Sequence, residues 1–151
     1  MTQITKEEND LLYVCSLIEY VGRITKNTNA HIVRILGKEG LIKELDLAEV
    51  NHCLSFEQVG DETVEFYNIK NGNFDSVGAC IYRVPDYVAI GGVYRDLILD
   101  IKAQHGGQIE DIMFDVFTSF ISDEISDFNA STFYENPSYI FHSYEAGELL
   151  E

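Results

Sequence analysis

The fold is decided by residues 108–126, QIEDIMFDVFTSFISDEIS. Set at the helical angle of about 100° per residue, Ile109, Ile112, Met113, Phe114, Val116, Phe117, Phe120, Ile121 and Ile125 cover well over half the circumference. Asp111, Asp115, Thr118, Ser119, Ser122 and Ser126 form a narrow polar strip. A helix apolar over so much of its surface belongs at the centre of a domain, so this stretch predicts one central core helix. Asp123 and Glu124 project into the apolar arc, which a fraying helix end relieves by releasing them into solvent.

On the N-terminal side, Thr5-Lys6-Glu7-Glu8 is a capping box, in which hydroxyl and carboxylate satisfy orphan backbone donors. Leu11, Val14, Cys15, Ile18 and Val21 follow at the spacing of one helical face, predicting a helix to about Thr25. Short helices are predicted around 30–36 and 41–48, with Gly37 and Gly40 bracketing the break between them. Ser55-Phe56-Glu57-Gln58 opens a fourth helix through Val59, Thr63 and Tyr67. Lys70-Asn71-Gly72-Asn73 reads as a linker, dividing an N-terminal half, 1–69, from a C-terminal half, 74–151. Ala79–Val84 is apolar without helical period and has no second strand to pair with, so it reads as extended chain or a single turn. Pro85 suits a first helical turn, and Tyr87, Ile90, Tyr94, Leu97, Ile98 and Ile101 line the helix after it, with a break possible at Gly91-Gly92. Asn136-Pro137 reads as cap and first-turn proline of a last helix ending near Gly147. The expected fold is all-α: about seven short helices and little or no sheet.

Ten Lys and Arg against 26 Asp and Glu give a net charge of −16, with −5 in residues 1–70 and −11 in residues 71–151. Binding to nucleic-acid phosphates needs a basic stripe to displace counterions, and anionic membranes impose the same demand. Neither partner is therefore expected. No apolar run nears the ~20 residues needed to span a bilayer, and the polar N-terminus is unlike a signal peptide. Three cysteines without CxxC spacing fit a reducing compartment, so a cytoplasmic location is expected. Four scattered histidines offer no metal-ligand spacing, and no phosphate-binding, nucleophile-elbow or calcium-loop motif is present. No cofactor or metal is expected.

Two features point to recognition. The acidic half suits a basic partner, with Asp111, Asp115, Asp123, Glu124 and Asp127 as candidate contacts. The segment 127–139 is aromatic as well as polar, and Tyr134 and Tyr139 are candidate anchors, since tyrosine offers large contact area with few rotatable bonds. The alternatives are a small helical enzyme, or a subunit of one, using Asp123, Glu124 and Asp127 for acid–base work, and a structural homo-oligomer.

Residues 12–20 (LYVCSLIEY), 23–27 (RITKN), 47–52 (LAEVNH), 93–98 (VYRDLI) and 128–137 (FNASTFYENP) resemble a family of small, all-helical bacterial proteins. Some members are encoded beside toxin genes, including ADP-ribosyltransferase-like ones. The resemblance implies an antitoxin or toxin-associated role and supplies no catalytic residues; joined to the charge layout, the expected action is occlusion of a basic partner site by the acidic and Tyr-rich surface of residues 108–140.

Overall fold

The Thr5 hydroxyl accepts the Glu8 amide at 3.1 Å and so starts the first helix, α1 (Lys6–Thr25). In a computed structural model, which describes residues 5–151, the chain continues through α2 (Asn29–Asn51), α3 (Phe56–Tyr67), α4 (Ser76–Ala79), α5 (Tyr87–His105), α6 (Ile109–Phe117), α7 (Phe120–Ser126), a 3₁₀ turn (Thr132–Tyr134) and α8 (Pro137–Ala146). Residues 1–4, part of the polar N-terminus, lie outside the described residues. The described chain is all-helical with no strand.

The predicted stripe of α1 is buried, and so are Tyr13, Ser16, Leu17 and Glu19 beside it. The helix is enclosed because α5 packs against it most extensively, with α2 and, less extensively, α3 also in contact. Gly91 explains the closeness to α5: a Cβ there would stand 2.2 Å from Ser16 Oγ and 2.8 Å from its backbone nitrogen. The Gly91-Gly92 pair therefore does not break α5, which is continuous; the missing side chain lets two helices touch. Pro85 differs from expectation too. It precedes the cap, and Asp86 starts α5 by accepting the Val88 amide at 2.7 Å.

In α2 the expected interruption falls at Gly37 alone, at φ 67°, ψ 176°, a conformation that favours glycine. Gly40 lies inside the helix, packed against Leu36 and the Tyr67 hydroxyl. Residues 108–126 are corrected from one helix to two. Thr118 leaves helical geometry and Ser119 is extended at φ −91°, ψ 171°. Their hydroxyls donate to Phe114 O and Val116 O, both at 2.7 Å, competing with continuation of the helix. Ile109, Ile112, Met113, Val116, Phe117, Ile121 and Ile125 are nevertheless all buried. The break re-phases α7 against α6 and turns Asp123 out to solvent without relying on a frayed end.

One contiguous apolar core draws on α1, α2, α3, α5, α6, α7 and α8. Inside it lies a polar network. Glu19 accepts from Arg23 Nε at 2.6 Å and from Asn29 Nδ2 at 2.8 Å. Asn29 reaches the Tyr94 hydroxyl at 3.4 Å, and that hydroxyl meets Ser122 Oγ at 2.8 Å. Burial pushes the Glu19 carboxyl above its ordinary value, while the Asn29 amide and the Arg23 guanidinium pull against that shift. No helix among the described residues is long and apolar enough to cross a membrane.

Phe117 is fully buried and stacks on Tyr94 with ring centroids 4.1 Å apart. Phe117→Ala is expected to cost about 3–5 kcal/mol in urea unfolding through lost burial and an unfilled cavity. A loss below about 1 kcal/mol would be incompatible with a packed ring at this site.

Candidate functional site: an aromatic and acidic face

The linker and the loop after α7 are laid side by side by backbone contacts. At the end of α1, Lys26 turns into left-handed geometry at φ 57°. The helix-end carbonyls of Thr25 and Lys26 then accept the amides of Gly72 and Phe74, each at 2.8 Å. Glycine is required at 72, where a Cβ would fall 2.2 Å from Asn27 Oδ1 and 2.6 Å from Lys26 O. Asp75 caps α4 by accepting the Gly78 amide at 2.8 Å and stands 3.7 Å from Lys26 Nζ.

Beyond α4 the chain lacks regular structure as far as Asp86, and its start is held by a side chain about fifty residues further along the sequence. Asn129 donates Nδ2 to Ala79 O at 2.9 Å and accepts the Ile81 amide on Oδ1 at 2.8 Å. This amide substitutes for the missing neighbouring strand, which explains how the apolar run 79–84 stays ordered without a sheet. Asn129 is itself fixed by a turn in which its amide donates to Asp127 Oδ1 at 3.1 Å. Beneath it, buried Phe128 packs edge-on to Phe133, and the Arg23 guanidinium lies 5.2 Å from the Phe128 centroid. Arg23 also donates to Pro85 O at 2.8 Å, tying the far end of the loop to the core network.

The resulting surface carries two shallow clefts of ≈ 220 and ≈ 180 Å³. Phe74, Asp75, Asp123 and Asp127 line the first; Tyr82, Arg83, Phe133 and Tyr134 line the second; Phe128 and Asn129 belong to both. The apolar side chains around them face water: Ile81 is 77% exposed, Tyr134 69% and Tyr82 66%, with Phe74 and Val77 each more than a third exposed. Scattered single exposures are ordinary, and several exposed apolar side chains gathered on two adjoining segments beside charge are what makes this face a candidate interaction site. Three carboxylates, Asp75, Asp123 and Asp127, supply that charge.

Of the residues singled out from the sequence, Asp123, Asp127 and Tyr134 meet on this face. Glu124, half-buried beside them, is not among the residues lining either cleft. Asp111 and Asp115 lie on α6, where Asp111 is paired with Lys38 at 3.1 Å. The Tyr139 hydroxyl donates to Leu150 O at 2.7 Å and so holds the C-terminus. Phe74, Val77, Ile81, Tyr82 and Asn129 were not singled out. The signal for Ile81 and Tyr82 was the apolar run 79–84, which has neither helical period nor a strand to join, and Asn129 lies within the aromatic and polar segment 127–139.

Two larger clefts, ≈ 390 and ≈ 380 Å³, flank the N-terminus of α1 and share Lys6 and Asp10. Their lysines are already paired, Lys6 with Asp10 at 2.6 Å and Lys102 with Glu7 at 3.3 Å. Among the described residues no group of three or more His, Cys, Asp or Glu is placed to hold a metal ion. Cys15 is buried, Cys53 is exposed, and Cys80 is partly covered within the 79–84 loop.

Replacing Asn129 with Ala removes both bonds to the 79–81 backbone. At about 0.5–1.5 kcal/mol for each bond, this is expected to speed hydrogen exchange across 79–84 while leaving protection in α1 and α5 unchanged. Exchange in 79–84 that matches the unsubstituted protein would show that Asn129 does not hold the loop. Comparison with protein-family models, curated proteins and solved structures finds no match to the chain.

Proposed function

We propose that the chain is a protein-binding module and that the face formed by residues 74–82 and 123–134 docks a basic protein, acting as an antitoxin that occludes its partner. The observation that carries this reading is the pair of adjoining clefts that share Phe128 and Asn129, one lined by exposed Tyr82 and Tyr134 with exposed Ile81 next in the chain to Tyr82, the other lined by Asp75, Asp123 and Asp127. Apolar and aromatic side chains at the centre of a patch supply most of the affinity of an interface. The acidic rim, on a chain of net charge −16, speeds encounter with a cationic surface and rejects anionic ones. The antitoxin part rests on the resemblance to small helical proteins encoded beside toxin genes. One of the resembling stretches, 128–137, supplies Phe128, Asn129, Phe133 and Tyr134 of this face.

The enzyme alternative asks for close carboxylates enclosed in a cleft that separates their pKa values. Asp123 and Asp127 are both exposed, and Glu124 lines neither cleft, an arrangement better suited to contact than to proton transfer.

The test begins with the protein that co-purifies with the native chain. Ile81→Asp and Tyr134→Ala are expected to speed its dissociation by about tenfold or more, as loss of a central apolar anchor does. Asp123→Asn with Asp127→Asn is expected to slow association and flatten its salt dependence, read by stopped-flow mixing at two ionic strengths. Expressed alone, the partner is expected to arrest growth, with rescue by the unsubstituted chain and not by Ile81→Asp. Unchanged rates in all variants would place the interface elsewhere; a harmless partner would remove the antitoxin role and leave the docking face standing.

A further inference from the structure

The two clefts of the aromatic and acidic face carry opposite charge. Asp75, Asp123 and Asp127 line the first, whereas Arg83 is the one charged residue lining the second. The clefts beside the start of α1 carry acids as well. Residues 71–151 hold three basic side chains against 14 acidic ones. Two of the three are paired, Arg95 with Asp96 at 3.0 Å and Lys102 with Glu7 at 3.3 Å. Arg83 is exposed, and among the described residues its guanidinium makes no ion pair, hydrogen bond or ring contact. Acids are at hand in the chain, but Asp86 accepts the Val88 amide at 2.7 Å and Asp127 the Asn129 amide at 3.1 Å.

The backbone that carries this arginine is nonetheless fixed. Two residues before it, Asn129 Oδ1 holds the Ile81 amide at 2.8 Å; two residues after it, Pro85 O accepts from Arg23 at 2.8 Å. The free guanidinium is thus presented from chain tied on both sides. Tyr82, Phe133 and Tyr134 line the same cleft, the last two meeting edge-on with centroids 4.9 Å apart. A planar guanidinium offers two parallel N–H donors to a carboxylate, and the absence of acids from the lining removes the competitor for them. At ~30 Å³ per water the ≈ 180 Å³ of the cleft is room for about six waters, the space of one acidic side chain.

We propose that this cleft receives a carboxylate side chain of the docked protein, with Arg83 as its counter-ion and Tyr82, Phe133 and Tyr134 as its apolar wall. The source of the carboxylate rests on the docking reading above; the preference of the cleft for an anion does not. Opposite signs in adjoining clefts then fix orientation. The partner sets a cationic group against Asp75, Asp123 and Asp127 and an acidic one against Arg83, and a partner turned end for end meets like charge in both clefts.

Titration of the ¹⁵N-labelled protein with benzoate at constant ionic strength, with benzamide as the neutral control, tests the cleft. A net charge of −16 disfavours anions over the rest of the surface. Saturable shifts of the Tyr82, Phe133 and Tyr134 amides are therefore expected with benzoate and not with benzamide. Arg83→Gln, at an exposed position that bonds to nothing in the fold, is expected to weaken benzoate binding about tenfold, the loss of one charge-assisted pair. Arg83→Lys keeps the charge without the planar fork and is expected to fall between the two. The source of the carboxylate is read with the co-purifying protein. A stray cation opposite a basic partner repels it, so its removal would tighten the complex; as the receiver of a partner carboxylate, Arg83→Gln is expected to speed dissociation about tenfold. Absence of saturable benzoate shifts, equal binding of benzamide or equal binding by Arg83→Gln would overturn the site. Arg83-dependent benzoate binding beside a complex that Arg83→Gln leaves unchanged or tightens would overturn the partner as source and identify a site for a free carboxylic acid. A complex indifferent to Ile81→Asp and Tyr134→Ala would instead overturn the docking reading, and the partner as source with it, while benzoate binding still decides the cleft.

Discussion

The arrangement depends on a carboxylate that must not be left alone. Glu19 is buried in the middle of α1, where an unpaired charge would cost several kcal/mol. Its two oxygens are met by Arg23 from the next turn and by Asn29 from the start of α2. Neither partner is free to do only that. Asn29 also reaches Tyr94, which brings in α5, and Tyr94 meets Ser122, which brings in α7. Arg23 continues outward to Pro85 O and the Phe128 ring. One buried acid therefore fixes the relative placement of four helices and two loops. Apolar contact alone tolerates sliding between helices; these directional bonds do not, which makes the network a specifier of register more than a source of net stability.

Charge and packing divide the work between the interior and the surface. Inside, every ionisable group of the network has a named partner. Outside, the excess of acid leaves most carboxylates facing water, and net charge by itself governs solubility and encounter more than fold. What makes the 74–82 and 123–134 surface different is the coincidence of acid with uncovered aromatic and aliphatic side chains. The same composition spread evenly over the molecule would carry no functional meaning.

Local signals in the sequence were read correctly wherever one short stretch determines its own geometry. The caps at Thr5, Ser55 and Asn136, the stripe of α1 and the glycine end at Gly147 fall in this class, since each is settled by bonds within a few residues. Features fixed by a distant neighbour were not legible. Gly91 looks like a helix breaker until Ser16 of α1 is seen against it. Residues 108–126 have the period of one helix, and the hydroxyls of Thr118 and Ser119 divide it without disturbing which side chains are buried. Asp111 looks outward on a helical wheel, and only the fold shows Lys38 beside it. The exposed aromatic face was least legible, because half of it is the 79–84 run, whose order depends on Asn129 about fifty residues further on.

That dependence constrains how the face can work. The 79–84 loop has no ladder or helix of its own, yet both ends are tied, at Ala79 and Ile81 by Asn129 and at Pro85 by Arg23. Phe128, adjacent to Asn129, lies under the same Arg23 guanidinium. The two halves of the face therefore share an anchor, and neither is displaced without disturbing the pair Arg23 makes with Glu19. Under the proposed docking, a surface held in this way meets its partner close to its bound shape and gives up little conformational freedom, which leaves more of the contact energy for affinity. The acidic core network and the exposed face are for that reason one construction: the buried charge that sets helix register also holds the loops that present Tyr82 and Tyr134.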